Sequence, residues 1–185
     1  MKLKLLQHNE NQIDSVYIYT DFLSKEEVFL VRDIVDKITK ADQSLSYQTN
    51  VKANMTDWYT LLKIPELNPI IKKIEETILN TLLLRVPNPK FAYESKITQA
   101  WGMRHSKGDK TIHHIHGFQG FSGAFYCDVP DNDQYIYFSD QLNLHVLQTN
   151  DLIFFSSMCK HYVPGHIAEK DRLSFAFNVD IIEHK

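Results

Sequence analysis

Residues 172–182, Arg-Leu-Ser-Phe-Ala-Phe-Asn-Val-Asp-Ile-Ile, divide by character at every second position. Successive side chains of a strand point to opposite faces, so Arg172, Ser174, Ala176, Asn178 and Asp180 share one face, and Leu173, Phe175, Phe177, Val179 and Ile181 the other. A one-residue slip would exchange the two sets, and this fixes the strand's orientation: the apolar face packs on helices and the other lines a polar barrel interior. A guanidinium in that interior requires an anion.

From about residue 91 onward, aromatic and β-branched runs recur between Gly, Asp, Asn and Pro clusters, the pattern of a sandwich or jelly roll. Strands are expected at 96–104, 121–129, 135–138, 151–155 and 172–182. The first 90 residues differ. Val16-Tyr17-Ile18-Tyr19 reads as a short strand, and Ser24-Lys25-Glu26-Glu27 is a capping-box start for a helix with Val28, Val31, Ile34, Val35 and Ile38 at helical spacing. Asn68-Pro69 reads as a cap followed by proline at the first helical position, opening a second helix with Ile70, Ile71, Ile74, Ile78 and Leu82 on one stripe. Residues 44–58 are polar with scattered aromatics and read as a loop or as irregular strands. No repeat or linker divides the chain, so one domain over 1–185 is expected, mainly β with N-terminal helices: supporting strand and helices in 1–90, a jelly-roll core in 91–185.

A formal charge of −3 among 185 residues gives no electrostatic case for nucleic acid. Residues 1–6 carry the charge of a leader's start, but polar residues 7–12 interrupt any apolar run, and no segment reaches the roughly 20 apolar residues of a membrane span. A soluble protein of the cytoplasm is expected, the host's cytoplasm for a phage-encoded chain. Cys127 and Cys159 lie in apolar strand-like segments and read as buried free thiols rather than a disulfide framework.

Seven of the nine histidines fall between residues 105 and 166. In a strand, His114 and His116 present two imidazoles to one point while His113 and Ile115 face away. His161, after the strong strand at 151–155, is the candidate third ligand. Such a set suits iron, zinc, copper or nickel and does not choose among them; a zinc site and a non-catalytic cupin have the same pattern. Arg172 matches a carboxylate bidentately, Ser174 adds a hydroxyl, and Tyr126, on the inward face of 121–129, offers a further donor. The alternative for Arg172 is a structural pairing with an acid.

The order of these parts resembles the iron(II)- and 2-oxoglutarate-dependent dioxygenases, and in detail their relatives in marine phages and bacteria. Trp101, Gly108, His114-Ile115-His116, Ser122-Gly123-Ala124-Phe125-Tyr126, the run 151–157, His161-Tyr162-Val163-Pro164 and the run 172–178 carry the resemblance, which spans 99–179. It implies a double-stranded β-helix with Fe(II) on His114, His116 and His161, the distal carboxylate of 2-oxoglutarate on Arg172 and Ser174 with help from Tyr126, and dioxygen as oxidant in a hydroxylation whose prime substrate is a protein side chain or a small metabolite. One departure stands out: His116 occupies the position of the superfamily's acid. Were His116 not a ligand, Asp109, Asp128 or Asp140 would have to supply the carboxylate. The rivals are a three-histidine oxygenase that does not use 2-oxoglutarate, and a cupin-like module without turnover. His105, His113 and His166 read as structural or as hydrogen-bond partners of the ligands, and Trp58, Trp101 and Tyr162 as lining a substrate entry.

Overall fold

The computed structural model describes residues 1–7, 16–84, 91–117, 120–130, 135–138 and 145–184. Its elements run β1 (Lys2–Gln7), β2 (Val16–Thr20), α1 (Lys25–Ala41), β3 (Val51–Lys52), β4 (Asn54–Met55), α2 (Asn68–Leu83), β5 (Ala92–His105), β6 (Lys110–His114), β7 (Phe121–Asp128), β8 (Tyr135–Phe138), β9 (His145–Val146), β10 (Asp151–Ser156), β11 (His161–Val163) and β12 (Arg172–His184). They form two antiparallel sheets, a large one ordered β1-β2-β10-β7-β12-β5-β4 and a small one ordered β3-β6-β11-β8-β9.

Alternation along the strands of the large sheet builds two cores. Tyr17, Phe125, Leu152, Phe154, Leu173, Phe175, Phe177 and Val179 point outward and pack with Val31 and Val35 of α1 and Ile70, Ile74 and Ile78 of α2. Their strand neighbours Val16, Ile18, Ala124, Ile153, Phe155 and Ala176 point the other way and meet Val51, Ile136, Phe138 and Val163 of the small sheet. The two-faced reading of 172–182 therefore holds, with the barrel interior between the sheets. Burial of these faces, at about 25 cal/mol per Å² of apolar surface, is what holds helices and sheets together.

α1 opens with the expected capping box, Ser24 Oγ accepting from Glu27 N and Glu27 accepting from Ser24 N. α2 begins differently from expectation: Asn68 is its first helical residue, not its cap. A 3₁₀ turn over Pro65–Leu67 runs directly into it, so the preceding turn continues the backbone bonding and no side-chain cap is present. Residues 44–58 contain β3 and β4, which bond to β6 and β5 respectively. Cys127 and Cys159 are buried free thiols. Among the described residues no helix is long and apolar enough to cross a membrane.

A candidate metal centre beneath an open cleft

His114 closes β6 and pairs directly across from His161, the first residue of β11. His116 lies two residues past the end of β6 rather than within a strand; its backbone N–H donates to Ser157 O at 2.8 Å, and this bond to the turn after β10 brings the ring back over the other two. The three rings stand 4.3 to 5.2 Å apart between centroids. One ring nitrogen from each lies within 4.8 Å of the others.

The hydrogen bonds of the rings decide which nitrogens are available. His114 Nδ1 donates to Ile112 O at 2.8 Å and His161 Nδ1 to Cys159 O at 2.9 Å, so the proton sits on Nδ1 and the Nε2 lone pair is left to ligate. His116 shares the lining of the outer cleft with Asn178, whose side chain is hydrogen-bonded to Ser122 and Gln99. Burial keeps all three rings neutral: it pushes His116 down to about 3, with His114 adding to the effect, lowers His114, and lowers His161 well below the ordinary value. Three neutral, oriented imidazoles fit a borderline divalent transition metal.

No carboxylate joins this group among the described residues. Asp109 accepts from Tyr47 Oη at 2.6 Å and from Ser106 N, and holds that phenol protonated up to about 12. Asp128 pairs with Lys170 at 2.7 Å. Asp140 lies outside the described residues.

The three histidines share an inner pocket with Tyr126, Thr111, Phe155 and Ala176. Along the inward face of β12, Ser174 and then Arg172 follow Ala176; Ser174 lies across from Tyr126 on one side and Met103 on the other, and Arg172 across from His105. Arg172 and Ser174 are each 1% exposed. Ser174 Oγ has no hydrogen-bond partner among the described residues, an orphan that a buried ligand oxygen would satisfy. The expected residues thus face one barrel interior from both sheets, His114 and His161 on the small sheet and Tyr126, Ser174 and Arg172 on the large one, with Arg172 and Ser174 beyond the pocket wall that Ala176 and Tyr126 form.

Above the histidines an open cleft of about 500 Å³ is walled by Trp58, Trp101, Gln99 and Asn178 and rimmed by residues 48–52 and by Ile112 and Ile115. Trp58 meets Trp101 edge-on at 4.8 Å. Both tryptophans line the entry as expected. Tyr162 does not: it points out of the barrel and stacks on His113 at 4.0 Å and Tyr137 at 4.8 Å, because its strand neighbours His161 and Val163 take the inward positions. His105 and His166 are buried away from the triad, His105 bonded to Thr111 Oγ1 and His166 to Lys170 O.

Two contributors had no distinctive signal in the chain. Arg104, 7% exposed, donates to Asp36 at 2.6 Å and Asp171 at 2.7 Å, tying α1 to the residue before Arg172. Asp42, at the end of α1, accepts from Asp57 N and Thr60 Oγ1 and so pins the turn that carries Trp58. The first could have been suspected only from an arginine on the helix-facing side of a strand, the second not at all.

No protein-family model matches the chain, and no curated protein matches it in sequence. Solved structures match in shape. A viral collagen prolyl hydroxylase from Paramecium Bursaria Chlorella virus-1, in complex with 2OG, superimposes with a TM-score of 0.65 at 13% identity, over 92% of this chain and 97% of its own. A Pseudomonas putida prolyl-4-hydroxylase gives 0.64 at 13%, over 89% and 91%. HygX from Streptomyces hygroscopicus, with nickel and 2-oxoglutarate bound, gives 0.60 at 12%, over 91% and 83%. The fold is therefore the double-stranded β-helix that these proteins share.

Proposed function

We propose that the chain is an iron(II)- and 2-oxoglutarate-dependent oxygenase, its residues 1–185 acting as one domain, that hydroxylates a substrate held in the open cleft. The observation that carries this reading is the convergence of three neutral imidazoles on one side of a barrel that also buries a guanidinium and an unsatisfied serine hydroxyl. The solved structures of similar shape that contain 2-oxoglutarate and metal support it.

In this reading His114 and His161 hold the metal through the Nε2 atoms that their carbonyl hydrogen bonds leave available, and His116 joins them through a ring nitrogen. Arg172 and Ser174 receive the distal carboxylate of 2-oxoglutarate, reached past Tyr126, whose hydroxyl is a third donor; a charge-assisted pair in so dry a place is strong and directional. When bound, the metal and keto acid supply the oxidation: 2-oxoglutarate, dioxygen and a C–H bond go to succinate, carbon dioxide and an alcohol. Phe155, Ile136 and Val163 in the inner pocket keep water from the reacting centre. Trp58, Trp101 and Gln99 orient the substrate, which the cleft's size admits as a small metabolite or a side chain on a peptide.

The all-histidine triad favours one second reading, a metal oxygenase that does without 2-oxoglutarate. Anaerobic addition of Fe(II) and 2-oxoglutarate separates the two. The first gives a weak visible charge-transfer band, lost in Arg172→Ala at moderate 2-oxoglutarate; iron binding without a band favours the second. Slow succinate formation under air without prime substrate is expected of the enzyme, and its absence in an iron-loaded protein points to a binding module.

A further inference from the structure

Three buried side chains on the inward faces of the neighbouring strands β5 and β12 each keep a polar atom without a hydrogen-bond partner among the described residues: Trp101 Nε1, His105 Nδ1 and Ser174 Oγ. Buried polar groups are nearly always paired, so orphans gathered on two adjacent strands mark the wall of a ligand site. Ser174 lies across from Met103 and Arg172 across from His105, and residues directly opposite each other in a sheet share a face. His105 is therefore the inward neighbour of the guanidinium to which the proposed function gives the far carboxylate. It is 1% exposed, and beyond it the turn after β5 is closed by backbone bonds from Gly108 N to His166 O and from His166 N to Asp109 O. Of its two ring nitrogens, Nε2 meets Thr111 Oγ1 at 3.2 Å on the small sheet, where Thr111 lines the inner pocket. This contact crosses the barrel and fixes the ring. Burial keeps the ring neutral, so it carries one hydrogen; with the Thr111 hydroxyl donating to Nε2, the ring's own hydrogen sits on Nδ1, the nitrogen without a partner.

We propose that His105 is a further binding residue for the co-substrate, its Nδ1–H donating to the far carboxylate of 2-oxoglutarate beside Arg172 and Ser174. The inference rests on the 2-oxoglutarate reading of the site. It accounts for an imidazole in a dry corner next to a permanent cation, an arrangement that costs stability until an anion joins the two. It also gives the contact with Thr111 a purpose, since only a ring anchored at Nε2 presents Nδ1 in one direction.

The test is calorimetric binding of 2-oxoglutarate to the Zn(II)-loaded full chain, in which a metal without redox chemistry holds the keto acid without turnover, in wild type, His105→Gln, His105→Asn and Arg172→Ala. The glutamine amide reaches the position of Nε2 and can keep the bond to Thr111, but puts no donor at Nδ1. The asparagine amide puts a donor near Nδ1 and gives up Thr111. His105→Gln is expected to bind 2-oxoglutarate about 10- to 100-fold more weakly, the worth of a buried hydrogen bond to a charged group, and His105→Asn within about threefold of wild type. A ring that serves only to tie the two sheets together predicts the reverse order. Wild-type affinity in His105→Gln, which would mean that an internal water alone satisfies Nδ1, or a loss in His105→Asn as large as in His105→Gln, overturns the proposal. Where the glutamine variant does not fold, the asparagine variant decides alone: retention supports the proposal and a tenfold loss overturns it. A wild-type chain that takes up no Zn(II) or no 2-oxoglutarate, or an Arg172→Ala variant that binds 2-oxoglutarate as tightly as wild type, refutes the co-substrate reading itself and the proposal with it.

Discussion

His161 and His166 are five positions apart and both buried, at 5% and 1% exposure, yet they do different work. The His161 ring is turned to His114 and His116, whereas His166 is held by Lys170 O and by backbone bonds to Gly108 and Asp109. His161→Ala should abolish Fe(II) binding in an anaerobic titration; His166→Ala should keep it while lowering stability by about 1–3 kcal/mol, the cost of opening a buried hydrogen-bonded site. Equal loss of iron in both would undo the ligand assignment. Arg172 invites a finer test, because lysine keeps the charge and loses the fork. Arg172→Lys should raise the KM for 2-oxoglutarate at least about tenfold with kcat little changed, as expected for loss of binding that is uniform through the reaction.

At the scale of elements, how much the sequence discloses depends on where the stabilising contacts come from. β12 and β7 were legible because alternation over eight or more residues is a local signal, β10 because a short apolar run between turn residues is one, and α1 because its cap and stripe are local too. β3 and β4, two residues each, exist only through long-range pairing, Val51 with Thr111 and Met55 with Met103 among the partners, so the sequence of 44–58 left a loop and irregular strands equally open. The triad was half legible on the same grounds: His114 and His161 sit at strand ends, but His116 was placed by strand periodicity and actually reaches the site through a bond to Ser157. Asn178 was assigned to the right face, yet its hydrogen bonds reach partners 56 and 79 residues away. Gly123, by contrast, reports its constraint only in three dimensions. In the middle of β7 between β10 and β12, an added Cβ would lie 2.4 Å from Ile153 O and 2.5 Å from Phe177 Cζ. Gly123→Ala should therefore cost at least about 3 kcal/mol in urea unfolding, because backbone on one side leaves the overpacked ring no room. A loss under about 1 kcal/mol would mean the sheet opens more readily than this register allows.

For the whole molecule, neutral imidazoles that are buried, as at His105 and His161, or half-buried, as at His114 and His116, make stability depend on pH in a definite sense. His105, His114, His116 and His161 all have folded values below the ordinary 6.5, from burial first, with Arg172 and His166 adding to it at His105. Above pH 6.5 both folded and unfolded chains carry these rings neutral and the groups contribute nothing. As the pH falls below 6.5, the unfolded chain binds protons that the folded one refuses, so stability declines by up to about 1.4 kcal/mol per unit for each such group. With His116 held at about 3, that ring alone accounts for about 1–2 kcal/mol between pH 6.5 and 5, and the others add to it. The metal-free protein should accordingly melt several degrees lower at pH 5 than at pH 7. Metal acts in the same direction, since it ligates only neutral rings and stabilises the folded state by mass action: Co(II) should raise the melting temperature at pH 7.5, and the increment should shrink toward zero at pH 5. Thermal melts with chelator and with Co(II) across this range measure both effects. A melting temperature that is flat from pH 7 to 5 without metal would mean that the interior admits protons and water, and a pocket that wet could not keep solvent from an oxidising centre.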